Sequence, residues 1–220
     1  MDTEIAITDI ELMQCIRLLS ISLRGTAKEI PAATLLHLRD LYDSEKFSEC
    51  IREIKKIYRL GFSLRICYIN SRSSQESIIR FALDTTKEMG YVNPRIGGVS
   101  QDLTSCGAII LQPSHIPLYS TSSFDNMRLL MIVFRQYAMV SCETFIYAIA
   151  HEMAHIVLGS MQHPLQHSEI ATDLTAMIMG FSDIIKIGRR CGVFKLGYLD
   201  DRQFELAYSE IQRRKKIIYL

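Results

Sequence analysis

The chain has 220 residues, of which 48% are hydrophobic and 22% are charged. This composition predicts one globular domain, with at most a small helical extension, and excludes a disordered or low-complexity protein. Lys and Arg number 25 against 24 Asp and Glu, and the resulting net charge of +1 argues against a nucleic-acid-binding protein. The six cysteines are dispersed, which is typical of reduced thiols rather than of a disulfide framework.

Neither export nor membrane insertion is indicated by the sequence. The first residues, MDTEI, are acidic, whereas a secretory signal needs a cationic start and an apolar centre. The longest apolar stretch, residues 129–150, is interrupted by Arg135, Gln136 and Glu143, which a spanning helix would not carry together. We therefore expect a cytoplasmic protein without a membrane span, with export by a non-standard route as the alternative.

Residues 1–61 predict an N-terminal helical region that packs on the main domain. Thr8 and Glu11 form a capping-box pattern ahead of the first apolar series. Pro31 suits the first turn of a second helix. A third helix, over residues 44–61, has one apolar face and one charged face, and we interpret the charged face as solvent-exposed.

Residues 62–220 predict the main domain, with strands and helices mixed in an α+β arrangement. Phe62–Tyr68 alternates apolar and polar residues, as a half-buried strand does, and a helix is predicted over residues 74–89. Residues 113–128, rich in Ser, Pro and Asn, predict a loop. Further strand candidates are Ile96–Ser100, Gly107–Gln112 and Leu129–Phe134, of which the last is equally compatible with a helix.

Residues 151–155 read His-Glu-Met-Ala-His, the H-E-x-x-H pattern, within a predicted helix that Ser141 is suited to cap. On a helix, His151 and His155 lie one turn apart on the same face, where two imidazoles can bind one zinc ion. Glu152 is rotated by about 100° from His151, so it stands beside the metal and can take a proton from zinc-bound water. Chance histidines on a mostly apolar helix would be desolvated without compensation, which favours the metal-binding interpretation.

A second short pattern supplies a candidate for the third zinc ligand. Ser168 is a good N-cap, and Glu169 and Asp173 follow one turn apart on the predicted helix. Glu169 could complete a His, His, Glu site, for which His163, His167 and Asp173 are the alternatives. Asp173 could instead accept a hydrogen bond from the outer nitrogen of a zinc-bound histidine and fix its tautomer.

With H-E-x-x-H at residues 151–155 and E-x-x-x-D at residues 169–173, the chain resembles the gluzincins, the thermolysin-like branch of zinc metallopeptidases. The resemblance covers approximately residues 141–180. The metzincin pattern is absent, because it needs Gly and His where this chain has Leu158 and Met161. Compared with thermolysin itself, the connection between the two patterns is short.

This resemblance implies a zincin-like α+β fold with a small mixed sheet, an active-site helix and N-terminal helices. Residues 74–89 would be the helix behind the sheet. Gly107–Gln112 would be the edge strand that pairs with an extended peptide.

By the same resemblance, one Zn²⁺ per chain would be held by His151, His155 and Glu169. Glu152 would act as general base and then as general acid. Asp173 would orient His151.

Other residues are candidates for lesser roles. His163 and His167 lie in the connecting loop, and either could contact the substrate or the transition state, as a His or Tyr does in some gluzincins. Tyr198, in the turn before the predicted final helix, could also lie near the site. Cys106 is interpreted as an ordinary free cysteine rather than as an inhibitory zinc thiolate.

We expect a zinc-dependent hydrolase, a metallopeptidase acting on a protein or peptide, either general or dedicated to one partner protein. The alternative is a non-catalytic zinc-binding interaction module with a zincin-like fold. The intact Glu152 argues against that alternative, because a purely structural zinc site has no need of a general base. A fourth protein ligand such as His163 would identify a structural site.

Overall fold

A computed structural model describes residues 7–24, 29–69, 75–90, 108–113, 115–134, 141–191 and 194–218. The architecture is α+β and mostly helical, with one small mixed sheet of three strands, which confirms the predicted class. Within these ranges, no helix combines the length and apolar character needed to cross a membrane. The strand candidate Ile96–Ser100 lies outside the described residues.

Three helices open the chain, namely α1 (Asp9–Ser22), α2 (Ala32–Asp43) and α3 (Phe47–Ile57). The predicted capping box of α1 is present, because Thr8 Oγ1 accepts from Glu11 N and the Glu11 carboxylate accepts from Thr8 N. The third helix begins later than predicted. Residues 44–46 instead close the C-terminal end of α2, with Glu45 in the left-handed region at φ 56°.

The sheet consists of β1 (Ser63–Ile69), β2 (Ala108–Leu111) and β3 (Arg128–Phe134) in the order β1-β3-β2. β1 runs parallel to β3 with Ser63 opposite Arg128, and β2 runs antiparallel to β3 with Ile110 opposite Met131. The ambiguous segment 129–134 is therefore a strand, and it is the central one. The predicted strand at Gly107–Gln112 is confirmed over residues 108–111, at the edge of the sheet.

Helices cover both faces of this sheet. On one face, Ile78 and Ala82 of α4 (Gln75–Glu88) pack against alternate strand residues such as Ile132. On the other face, Ile110 and Met131 join the main core. Because side chains alternate along a strand, the sheet separates α4 from the rest of the molecule.

Between β2 and β3 the chain was predicted to be a loop throughout, and this is wrong in one place. A short helix, α5 (Ser122–Asp125), follows Thr121, whose Oγ1 accepts from Phe124 N at 3.2 Å. A single turn with its own cap leaves too little apolar periodicity to be recognised in the sequence.

The C-terminal half begins with α6 (Cys142–Ser160), which passes through the main core and packs against α3, α7, α8 and β2. Next come α7 (Glu169–Ala176), a π-helical turn (Met177–Phe181) and α8 (Ser182–Gly188). A two-stranded ribbon of β4 (Arg190–Cys191) and β5 (Phe194–Lys195) leads to α9 (Asp201–Ile218). The predicted final helix is present, and Asp200 caps it, since Asp200 Oδ1 accepts from Gln203 N at 2.7 Å.

Candidate metal centre

Two adjacent helices, α6 and α7, meet at the candidate site, and both begin at their predicted N-caps. Ser141 Oγ accepts a hydrogen bond from Thr144 N at 3.1 Å, and Ser168 Oγ accepts one from Ala171 N at 3.2 Å. These caps fix where each helix starts and therefore which residues share a face. As a result, the H-E-x-x-H segment in the middle of α6 lies against the first turns of α7.

The two histidines and Glu169 each direct one atom towards a common point. Glu169 Oε2 lies 3.0 Å from His151 Nε2 and 3.3 Å from His155 Nε2. The imidazole planes are nearly perpendicular, at 85°, with their centroids 4.8 Å apart. All three ligand atoms lie within 4.8 Å of one another. Among the described residues, no other group of three or more His, Cys, Asp or Glu side chains converges in this way.

This spacing fits a zinc ion. A tetrahedral ion with bonds of about 2.0–2.1 Å places neighbouring ligand atoms about 3.3 Å apart. The distances of 3.0 and 3.3 Å from the Glu169 oxygen to the two imidazole nitrogens are close to that value. Two imidazole nitrogens and one carboxylate oxygen are also the donor set of a known class of catalytic zinc sites.

The outer nitrogen of each histidine has its own partner on α7. His151 Nδ1 lies 2.8 Å from Asp173 Oδ1, the contact predicted for Asp173. His155 Nδ1 lies 3.2 Å from Thr172 Oγ1, whose hydroxyl donates to Ser168 O and so accepts from the imidazole. These partners favour a proton on each Nδ1, which leaves each Nε2 lone pair for a metal.

The electrostatics of the site favour a positive charge. Burial lowers the pKa of His151, but its hydrogen bonds to Asp173 and Glu169 outweigh burial and raise the pKa to about 10. Burial raises the pKa of Glu169, but hydrogen bonds from His151 and His155 hold that pKa well below its usual range. The same carboxylates that favour a proton on His151 would also favour a metal cation, which would compete with that proton.

Glu152 lies in the site but outside the ligand group. Its Oε2 accepts a hydrogen bond from Ile110 N of β2 at 2.9 Å, so the carboxylate faces the edge strand. Burial raises the pKa of Glu152, although the neighbouring histidines act in the opposite direction. A carboxylate with a raised pKa is suited to general acid–base chemistry near neutral pH.

The remaining predicted residues occupy different places. Tyr198 reaches the site, where its ring stacks on the His151 ring with centroids 5.9 Å apart and planes inclined by 22°. His163 is buried, and its Nδ1 accepts from Leu165 N at 3.1 Å, while His167 is exposed on the same loop. Neither belongs to the converging ligand group, and their roles as substrate contacts stay predictions. Cys106 lies outside the described residues.

Three contacts at the site were not anticipated from the sequence, those of Thr172, Tyr147 and Ile110. Tyr147 Oη donates to Asp173 Oδ1 at 2.8 Å. Tyr147 precedes His151 by one helical turn, so its spacing was a usable signal. Ile110 and Thr172 carried no such signal, because their contacts depend on how β2 and α7 pack against α6.

Comparisons with known proteins identified no relative of the chain. No protein-family model, no curated protein and no solved structure matches it. Its function must therefore be inferred from the residues that converge between α6, α7 and β2.

Proposed function

We propose that the protein is a zinc-dependent metallopeptidase of the gluzincin type with a zincin-like fold. The observation that carries this proposal is the convergence of His151, His155 and Glu169, with Glu152 beside them but outside the ligand group. A zinc ion held by His151, His155 and Glu169 would act as a Lewis acid towards a carbonyl group and would lower the pKa of a water molecule.

Glu152 moves the proton in the proposed reaction. Its carboxylate accepts a proton from the attacking water and delivers it to the nitrogen of the departing amine. Burial raises the pKa of Glu152, which makes the protonated form easier to reach between these two steps. Glu152 also lies against β2, the strand along which we propose that the substrate binds.

The substrate we propose is a protein or peptide that binds in an extended conformation along β2. Ile110 N donates to Glu152 rather than to β3. Along a strand, the backbone N–H and C=O groups of every second residue face the same side. The backbone groups of Ala108 and Ile110 therefore face outwards. No strand among the described residues pairs with the outward backbone groups of Ala108 and Ile110, and a peptide strand added there would pass the Glu152 carboxylate.

A non-catalytic zinc-binding interaction module is the second candidate, and the geometry favours it less. A structural zinc site is closed by four protein ligands. Within the described part of the chain the group contains three, and His163, the candidate for a fourth, has its Nδ1 engaged by Leu165 N. A structural site also gives no role to Glu152.

The test compares two substitutions on the same helix. Glu152→Gln removes the proposed base, whereas Glu143→Gln removes a carboxylate in the first turn of α6 that pairs with Arg39 at 2.6 Å. Purified proteins are analysed for zinc by mass spectrometry. Each is then incubated with a native proteome in which new peptide N-termini are identified.

We expect wild type and both variants to carry one zinc ion per chain. Glu152→Gln should slow cleavage by roughly 10²–10⁴-fold, and Glu143→Gln should leave it within about twofold of wild type. A single cleaved protein would identify a dedicated enzyme, and many would identify a general one. Wild-type protein without stoichiometric zinc, or unchanged cleavage by Glu152→Gln, would refute the proposal.

A further inference from the structure

A short segment, residues 196–200, crosses the metal-binding helices on its way to α9, and we call it the strap. It is anchored at both ends. Leu196 N donates to Arg189 O at 2.9 Å, and the buried Arg189 side chain donates through Nη2 to Leu199 O at 2.6 Å. Asp200 then forms the N-terminal cap of α9. The strap is therefore fixed to the ribbon and to the last helix.

Between these anchors the strap contacts Asp173, the partner of His151. Asp173 Oδ2 accepts from Tyr198 N at 2.8 Å, while Oδ1 accepts from Tyr147 Oη and contacts His151 Nδ1, each at 2.8 Å. The Asp173 side chain is only 4% exposed. A buried carboxylate held from α6 and from the strap cannot rotate freely, so it holds the His151 imidazole in one orientation.

Gly197 allows this close approach. Its φ is +92°, in the left-handed region that favours glycine. A Cβ at this position would overlap Tyr147 Oη and would lie 3.0 Å from Asp173 Oδ2. A residue with a side chain would therefore push the strap away from the two groups that hold Asp173 in place.

The strap also reaches His151 directly. The Tyr198 ring stacks on the His151 ring, at 5.9 Å between centroids and 22° between planes. Tyr198 thus contacts the His151 imidazole with its ring and Asp173, the partner of that imidazole, with its backbone N–H. Both contacts depend on the path that Gly197 permits.

We propose that the strap, through Gly197 and Tyr198 N together with the Tyr147 hydroxyl, positions the metal ligand His151 and thereby sets how long the site retains zinc. Tyr147 and Gly197 are positioning residues, since they act on His151 through Asp173 and the path of the strap. This inference rests on the proposed zinc site and extends it to residues outside the two sequence patterns.

Gly197→Ala is the test, and Gly90→Ala is its matched control. Both glycines have positive φ, +92° and +83°, so both substitutions impose similar backbone strain. A Cβ at Gly90, however, meets nothing within 4 Å. The difference between the two variants therefore isolates the loss of the contacts at Asp173.

The measurement is the rate at which zinc-loaded protein releases Zn²⁺ to an excess of chelator. We expect Gly197→Ala to release zinc about 10–100-fold faster than wild type, and Gly90→Ala to stay within about twofold. Tyr147→Phe, which removes only the hydroxyl, should release zinc about tenfold faster. Its control is Tyr208→Phe, whose hydroxyl bonds Asp183 on α8, and this variant should match wild type.

Equal release rates for Gly197→Ala and Gly90→Ala would overturn the role of the strap and leave the peptidase proposal intact. If Gly197→Ala does not fold, Tyr147→Phe decides, and wild-type release by that variant overturns the inference. Wild-type protein that binds no Zn²⁺ would overturn this inference and the proposed function together.

Discussion

Metal-free protein should lose stability as the pH rises from 7 to 8.5, and bound zinc should remove most of this loss. The cause is the proton on His151. Burial lowers the pKa of His151, but hydrogen bonds to Asp173 and Glu169 raise it to about 10 in the folded protein, against about 6.5 for an unfolded chain. Because the folded-state pKa is the higher one, the stabilisation is complete below about pH 6.5 and is lost as the pH rises towards 10.

The size of the effect follows from the two pKa values. Between them, each pH unit removes up to about 1.4 kcal/mol, so the free energy of unfolding should fall by about 2 kcal/mol from pH 7 to pH 8.5. Burial lowers the pKa of His163, so this histidine makes the folded protein more stable as the pH rises towards about 7 and has no further effect above it. The interval therefore starts at pH 7. Burial also raises the pKa of three buried thiols, to about 11 for Cys15 and about 12 for Cys50 and Cys142, so these thiols add a smaller loss near pH 8.5.

The assay is urea unfolding followed by circular dichroism, at several pH values, with a chelator or with saturating zinc. Asp173→Asn is the reference variant, because it removes the negative charge of Asp173, which raises the pKa of His151, and keeps the buried thiols. Metal-free Asp173→Asn should therefore show a smaller fall than wild type. Zinc displaces the His151 proton, so the zinc-loaded wild type should lose only the smaller part that comes from the buried thiols.

Two results would contradict this reasoning. One is equal stability of the metal-free wild type at pH 7 and pH 8.5. The other is a fall of the same size in Asp173→Asn. Either would show that His151 does not hold a proton between two carboxylates, and the arrangement of the site would then be different from the one described.

Two further predictions concern the helices that carry the site. Tyr58→Phe should lower the free energy of unfolding by about 1–2 kcal/mol, because the buried hydroxyl donates to Ala150 O at 2.8 Å. Gly188→Ala should cost about 2 kcal/mol or more, since a Cβ would overlap the backbone at Glu143. Gly159→Ala, whose Cβ would meet only the flexible end of a side chain, should cost clearly less. Urea unfolding measures all three, and equal costs at the two glycines would contradict the packing of α8 on α6.

Local hydrogen bonding explains which parts of the fold could be predicted from the sequence. The caps at Thr8, Ser141 and Ser168 were found because each joins residues three positions apart and depends on nothing else in the molecule. The start of α3 was missed because residues 44–46 complete the end of the preceding helix. Segment 129–134 stayed ambiguous because a strand buried on both faces shows no alternation.

The candidate site divides in the same way. Helical spacing alone placed His151 and His155 on one face, and likewise placed Glu169 and Asp173 one turn apart. Spacing could not show that the two helices face each other, and the resemblance to a family supplied that expectation. The contact between Glu152 and Ile110 joins residues far apart in the chain and depends on the edge position of β2.

The near-zero net charge conceals a strong local imbalance. Glu152, Glu169 and Asp173 lie together around His151 and His155, where the first turns of α7 meet the middle of α6, a helix whose other residues are mostly buried and apolar. Carboxylates and imidazoles in such a place are desolvated, and apolar residues of similar size would pack there at less cost. A cluster that apolar residues could replace at less cost, and that presents two imidazole nitrogens and a carboxylate oxygen to one point, supports the proposal that the site binds a cation.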